Sequence, residues 1–181
     1  MHLFLSHLSS PLGELLLVTD PERRIRALDF ADHESRLNRG LRARFGDPQL
    51  VQSEAPEFVA AALRAYFAGQ TGALSELAIA PAGDSLQGRV WNAVRQIPDG
   101  KTTSYGALAR ELGFADPRAA IEIGAAVGSN PIAIIIPCHR VVASNGDLKG
   151  FAWGLHRKRW LLEHEKAIEP PAPQTASFPG F

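Results

Sequence analysis

The sequence predicts an α+β protein in two parts: an N-terminal α+β unit over residues 1–82 and a mainly helical unit over residues 83–167. Three observations predict it. Short apolar runs flank a turn-forming stretch near the start, helical periodicity dominates beyond residue 85, and "IAPAGDS" at 79–85 breaks the pattern between them as a linker.

In the first part, "ELLLVTD" and "IRALDF" lie on either side of "DPERR", whose Asp, Pro and charges suit a turn, so residues 2–30 read as β structure with a hairpin. "FVAAALRAYFAG" at 58–69 places Phe58, Val59, Ala62, Leu63, Tyr66 and Phe67 on one helical stripe, and Gly69 supplies a stop. In the second part, Leu86, Val90, Val94 and Ile97 predict a helix over 85–96, ended by "IPDG". Ser104 is an N-cap for "YGALAREL", which Gly113 ends, and Asp116 with Pro117 opens a helix reaching Val127. Two short helices joined by "GFAD" form a helix-turn-helix candidate, a pattern that serves equally as a plain packing unit. The second of these helices carries Ala119, Ala120, Gly124, Ala125 and Ala126, small residues that let a backbone approach either DNA or a neighbouring helix. "IAIII" at 132–136 reads as buried extended chain ending at Pro137 and "ASNGD" as a turn. "GLHRKRWLLEHEK" reads as a last amphipathic helix, with Trp160, Leu161 and His164 near one face, and residues 168–181 as a disordered tail.

Composition excludes several classes. Nineteen Lys plus Arg balance nineteen Asp plus Glu, and the two halves differ only slightly, so charge alone does not argue for nucleic acid. A single cysteine excludes an internal disulfide and any zinc site with two or more thiolates. The chain shows no leader-like start and no membrane-length apolar run, so a cytoplasmic protein without a membrane partner is expected.

The one thiol, Cys138, stands in "IPCHRVV". A free thiol reacts only as thiolate, so a working cysteine needs a base or cation beside it, and His139 and Arg140 follow immediately. An imidazole base in turn needs an orienting acceptor; Asp147, Glu163 and Glu165 are the downstream candidates. A lone cysteine after an apolar run also fits a small buried hydrophobe.

"IPCHRVV", followed by "NGDLKGFAWGLHRKRWLLEHE" and preceded by "IPDGKTTSYGALA", resembles the O6-alkylguanine-DNA alkyltransferase family over about residues 83–166. "SSPLGELLLVTD" and "LRAYFAG" resemble the family's more variable N-terminal domain. The resemblance implies a ribonuclease-H-like N-terminal domain and, as partner, double-stranded DNA containing O6-alkylguanine, with O4-alkylthymine as a further substrate. It implies that Cys138 takes the alkyl group in one irreversible in-line displacement, with no cofactor, no metal and a monomeric protein. By the same carry-over His139 is the base through a water, Glu165 orients it, Asn130 in "SNP" ties the helix-turn-helix to the active-site turn, and Tyr105 in "SYG" rotates the target phosphate and helps protonate the departing guanine. The backbone at Cys138 and Val141 reads the guanine edge. Val127, Val141, Phe151, Ala152, Trp153 and Lys158 are the expected pocket residues. The expected DNA surface comprises Arg118, Ala119, Ala120, Ile121, Gly124 and Arg140, with Lys158 as a further cation. Flipping a base out of the stack costs a few kcal/mol, which contacts to phosphates must offset.

The chain departs from the family pattern at three positions. Ile121 stands where the family inserts an arginine into the duplex, so an apolar wedge is expected there, with Arg118 one turn away. Ala152 replaces a serine of some members, and Trp153 replaces a glycine. A large ring at the pocket rim predicts preference for methyl over benzyl. Two rival readings are a non-catalytic sensor of alkylated DNA, whose members lack the cysteine, and a Cys-His thiol hydrolase, which would need an oxyanion hole.

Overall fold

The computed structural model describes residues 1–80 and 85–172. Three antiparallel strands form a meander: β1 (His2–Leu8), β2 (Leu15–Thr19) and β3 (Ile25–Phe30). The β2–β3 turn is the expected "DPERR", closed by Asp20, whose carboxylate accepts from the Arg24 backbone N–H at 2.9 Å. Then follow α1 (Glu34–Phe45) and β4 (Gln49–Gln52), which returns parallel to β1 and completes the order β3-β2-β1-β4. The sequence reading missed α1 because only Leu37 and Leu41 are buried along twelve residues otherwise rich in arginine.

β2 is buried along its whole length, and the pleat explains its unbroken apolar run. Leu16 and Val18 face α1 with Leu37 and Leu41, whereas Leu15 and Leu17 face the second half of the chain. On that side lie α2 (Glu57–Phe67), α3 (Leu86–Arg95), α4 (Tyr105–Glu111), α5 (Ala119–Gly128) and α6 (Leu155–His164). Ser104 caps α4 through its hydroxyl, as expected, and Ser85 does the same for α3. Phe58 leaves the expected stripe and stays 46% exposed, while Ala60 takes its place in the core. The Asp116-Pro117 cap forms a separate turn, in which the Asp116 carbonyl accepts from Ala119, and the helix proper starts at Ala119.

Residues 132–136 correct a sequence expectation. They are buried but not extended: Ile132 makes one parallel bridge to Leu28, and the chain then coils, with Ile136 N–H donating to the Ile132 carbonyl at 3.0 Å. Ile134 has φ +68°, a conformation that a β-branched residue rarely adopts. Tertiary enclosure by five apolar side chains overrides local preference and aims the next residues at the site. Two short strands, β5 (Thr103–Ser104) and β6 (Val141–Val142), pair in parallel just beyond it.

The halves share one core through Leu28, Ile132, Val90 and their neighbours, and Arg157 on α6 reaches back to the Leu12 carbonyl and the Asp32 carboxylate. Residues 81–84 of the expected linker and 173–181 of the expected tail lie outside the described residues. Leu28→Ala, at the fully buried crossing of sheet and active-site turn, is expected to lose about 2–5 kcal/mol of stability. Urea unfolding with an unchanged slope would check this.

Candidate active site

Cys138, His139 and Arg140 form a short 3₁₀ turn, all three buried. Asn130, just past α5, sets its entry: its carboxamide oxygen accepts from Ile132 N–H at 2.9 Å, and its amide donates to the Ile136 carbonyl at 2.8 Å and lies 3.1 Å from Cys138 Sγ. Glu165, after the last turn of α6, is fully enclosed and accepts four bonds. They come from Tyr66 Oη at 2.7 Å, His139 Nε2 at 2.8 Å, and Arg140 Nε and Nη2 at 2.9 Å each.

These contacts decide protonation. Burial alone would raise the Glu165 carboxyl, but the His139 hydrogen bond and the Arg140 guanidinium outweigh it and hold the group well below the usual carboxylate range. Burial pushes the His139 imidazole down against the pull of Glu165, so the ring rests neutral. An ionised carboxylate only accepts, hence Nε2 carries the hydrogen and Nδ1 keeps its lone pair. Nδ1 is buried and has no partner among the described residues. Burial also raises the Cys138 thiol to about 11, opposed by the Asn130 hydrogen bond and the charges of Lys158 and Arg36. The thiol opens into a cavity of about 340 Å³ bounded by Tyr105, Gly124, Val127, Gly128 and the loop Gly150–Ala152.

The chain matches two family models in succession: "6-O-methylguanine DNA methyltransferase, ribonuclease-like domain" over residues 3–81 and "6-O-methylguanine DNA methyltransferase, DNA binding domain" over residues 85–167. It belongs to this methyltransferase family. A methylated-DNA--protein-cysteine methyltransferase of Salmonella typhimurium is 40% identical over 160 residues, covering 87% of this chain and 92% of the relative. The namesake from Mycobacterium tuberculosis is 47% identical over 108 residues, covering 60% of this chain and 64% of the relative. The crystal structure of Mycobacterium tuberculosis OGT in complex with DNA superposes with TM-score 0.74 at 36% identity, covering 91% of this chain and 93% of that one.

Within this methyltransferase, the structure gathers Cys138, Tyr105, Val127, Phe151, Ala152 and Gly124 around the cavity, with Asn130 buried against the thiol and His139 and Glu165 directly behind the thiol turn. Burial and the nearby Cys138 raise the Tyr105 phenol. Ile121 is 76% exposed on α5, one turn before Gly124; Ala120 is half-buried beside it, and Ala119 faces the core. Arg118 is exposed and forks onto the Asp116 carboxylate.

Five expectations change. Ala119 is not on the DNA surface, because the first turn of α5 packs it into the core. Arg140 is not a free cation on a DNA surface, because both its arms are spent inside on Glu165 and the Ile97 carbonyl. Lys158 neither faces DNA nor lines the pocket. Its buried Nζ, pushed down to about 8 by desolvation, donates to the Val141 and Leu148 carbonyls at 2.7 and 2.5 Å and pins the loop that forms the pocket wall. Val141 is wholly buried, its carbonyl turned to Lys158. Trp153 is not at the rim: its ring is buried in the seam between sheet and helices, where Nε1 donates to Asp29. The expectation of a methyl preference therefore loses its ground.

Three residues were missed. Tyr66 was legible as core but not as a donor to Glu165. Arg36 lies on the unseen α1 and donates to the Gly128 and Asn130 carbonyls at 3.0 and 2.8 Å. Asp29 passed unremarked inside "IRALDF", read only as a short apolar run.

Glu165→Gln is expected to lose about 3–5 kcal/mol, because Arg140 would stay buried without a counter-charge. The sign with pH is checkable. Folding depresses this carboxyl, so its contribution is complete above the unfolded value of 4.5 and drains away as pH falls below it. The variant's denaturant midpoint should therefore vary less than wild type between pH 3 and 6. A second prediction concerns the thiol, raised from 9.0 to about 11. Iodoacetamide should modify resting Cys138 about a hundredfold more slowly at pH 8 than it modifies an ordinary cysteine, each pKa unit counting tenfold.

Proposed function

We propose that this protein removes the alkyl group from O6 of guanine in double-stranded DNA, transferring it once and irreversibly to Cys138. The observation that carries the reading is a solitary thiol at the floor of a pocket, backed by a neutral imidazole whose Nε2 donates to a buried carboxylate and whose Nδ1 is left free. The Cys138 S–C bond forms as the C–O6 bond breaks. The thiol proton passes through one water to His139 Nδ1, and Tyr105 supplies a proton to the departing guanine. No second thiol stands among the 181 residues to release the thioether, so each molecule acts once.

The DNA-facing surface in this reading is the exposed side of α5, where small residues permit close approach and Ile121 projects beside the pocket. A flipped base leaves a gap in the stack, and an exposed isoleucine next to its pocket fills it as an apolar wedge. With Arg140 and Lys158 buried, Arg118 alone of the three expected cations is left to meet phosphates, so binding is modest. The protein works as a monomer in this reading. O4-alkylthymine is a secondary substrate.

Mass spectrometry of the intact protein and its peptides, after mixing with a duplex carrying one O6-methylguanine, tests the chemistry. One methyl on the Cys138 peptide, at most one per protein, is the expected result. Tight binding with unmodified sulfur would make the chain a damage sensor instead. For the wedge, Ile121→Ala should slow repair of the duplex about tenfold or more while leaving reaction with free O6-methylguanine unchanged, since only the duplex has a gap to fill. Equal loss on both substrates would sink that role.

A further inference from the structure

We propose that Asp29 is a specificity-determining positioning residue: its buried carboxylate holds the Trp153 indole out of the alkyl pocket and leaves the mouth open to O6 substituents larger than methyl. The proposal rests on the alkyl-transfer reading above. Trp153 directly follows Phe151 and Ala152, both of which line the cavity, yet its own ring is turned away and buried. There it meets Phe151 edge-on at 5.1 Å, lies near Phe30 at 6.3 Å, and carries the Arg36 guanidinium 4.6 Å over its face. A buried indole needs an acceptor for Nε1–H, and the sheet supplies one. Asp29 Oδ1 accepts from Trp153 Nε1 and from Phe30 N–H, while Oδ2 takes Arg36 Nη1 at 3.0 Å.

The carboxylate is itself fully enclosed on β3, so it is held as firmly as the strand that carries it. With the ring docked there, the wall at 150–152 consists of Gly, Phe and Ala, and the cavity keeps about 340 Å³, within the range of small-molecule sites. Without the acceptor, a buried donor stays unsatisfied, and a ring leaving the seam turns toward the side that its neighbours Phe151 and Ala152 already face. It would then narrow the mouth against a benzyl group and spare a methyl.

The experiment measures inactivation of the full chain by free O6-benzylguanine and free O6-methylguanine, read as alkylated Cys138 by intact mass. Asp29→Ala and Asp29→Leu are expected to lower the benzyl-to-methyl rate ratio about tenfold or more, the scale on which pocket shape discriminates. Asp29→Asn, which keeps an acceptor oxygen, should hold the wild-type ratio. Adding Trp153→Gly to Asp29→Ala should restore it, an outcome that general damage to the fold would not give. Trp153→Gly alone should leave the ratio within about threefold of wild type, because the ring already lies outside the pocket. The proposal fails if the ratio is unchanged in the Asp29 variants, if the double variant is not rescued, or if Trp153→Gly alone raises benzyl preference tenfold. Should neither Asp29 variant fold, that last comparison decides. A wild-type protein inert toward both bases and toward methylated duplex would sink alkyl transfer itself, whereas a reactive wild type with unmoved ratios sinks only the role of Asp29.

Discussion

A carboxylate shut away from water must be paired, and Glu165 is paired four times over. The donors come from α2 through Tyr66 and from the thiol turn through His139 and Arg140, while Glu165 itself follows α6. Withdrawing an ion from water costs several kcal/mol, so a displacement of any one of these pieces leaves a charge uncompensated. Arg140 extends the constraint by donating to the Ile97 carbonyl beyond α3. The imidazole tautomer is thus fixed by the same bonds that hold the helices together.

The thiol shows the opposite balance. Cations and the Asn130 amide favour its ionised form, yet burial wins and sets it near 11. Burial also holds the imidazole behind it down, so moving the proton between them at rest runs uphill. Burial thus disfavours the thiolate at rest. For a nucleophile used once, inertness toward other electrophiles preserves the whole molecule.

What was legible in the sequence was local. The cap at Ser104, the turn after Asp20, and the stripe from Val59 to Tyr66 depend on neighbours within four residues, and the structure shows each of them. The cluster around the thiol was also legible, because Cys138 and His139 are adjacent and the resemblance carried Asn130 and Glu165. What was not legible depends on distant partners. Arg140 and Lys158 look like surface cations until a carboxylate 25 residues away and the carbonyls of a folded-back loop claim them. The α1 helix has too few apolar anchors to announce itself, and Ile132–Ile136 coils although its residues favour strands, because enclosure on every side makes any internally bonded shape acceptable there.

The N-terminal unit is consequently more than a scaffold set beside the chemistry. Leu28 on β3 exchanges backbone bonds with Pro131 and Ala133, immediately before the thiol turn, and Asp29 next to it receives Trp153 and Arg36. Arg36 in turn takes the Gly128 and Asn130 carbonyls, the last of α5 and the residue touching Sγ. Two consecutive residues of one strand therefore grip both walls of the pocket, one through backbone and one through charge. A helix-turn-helix pressed against DNA bears forces that could splay its pocket, and a strand buried on both faces of a sheet is among the stiffest elements that can oppose them.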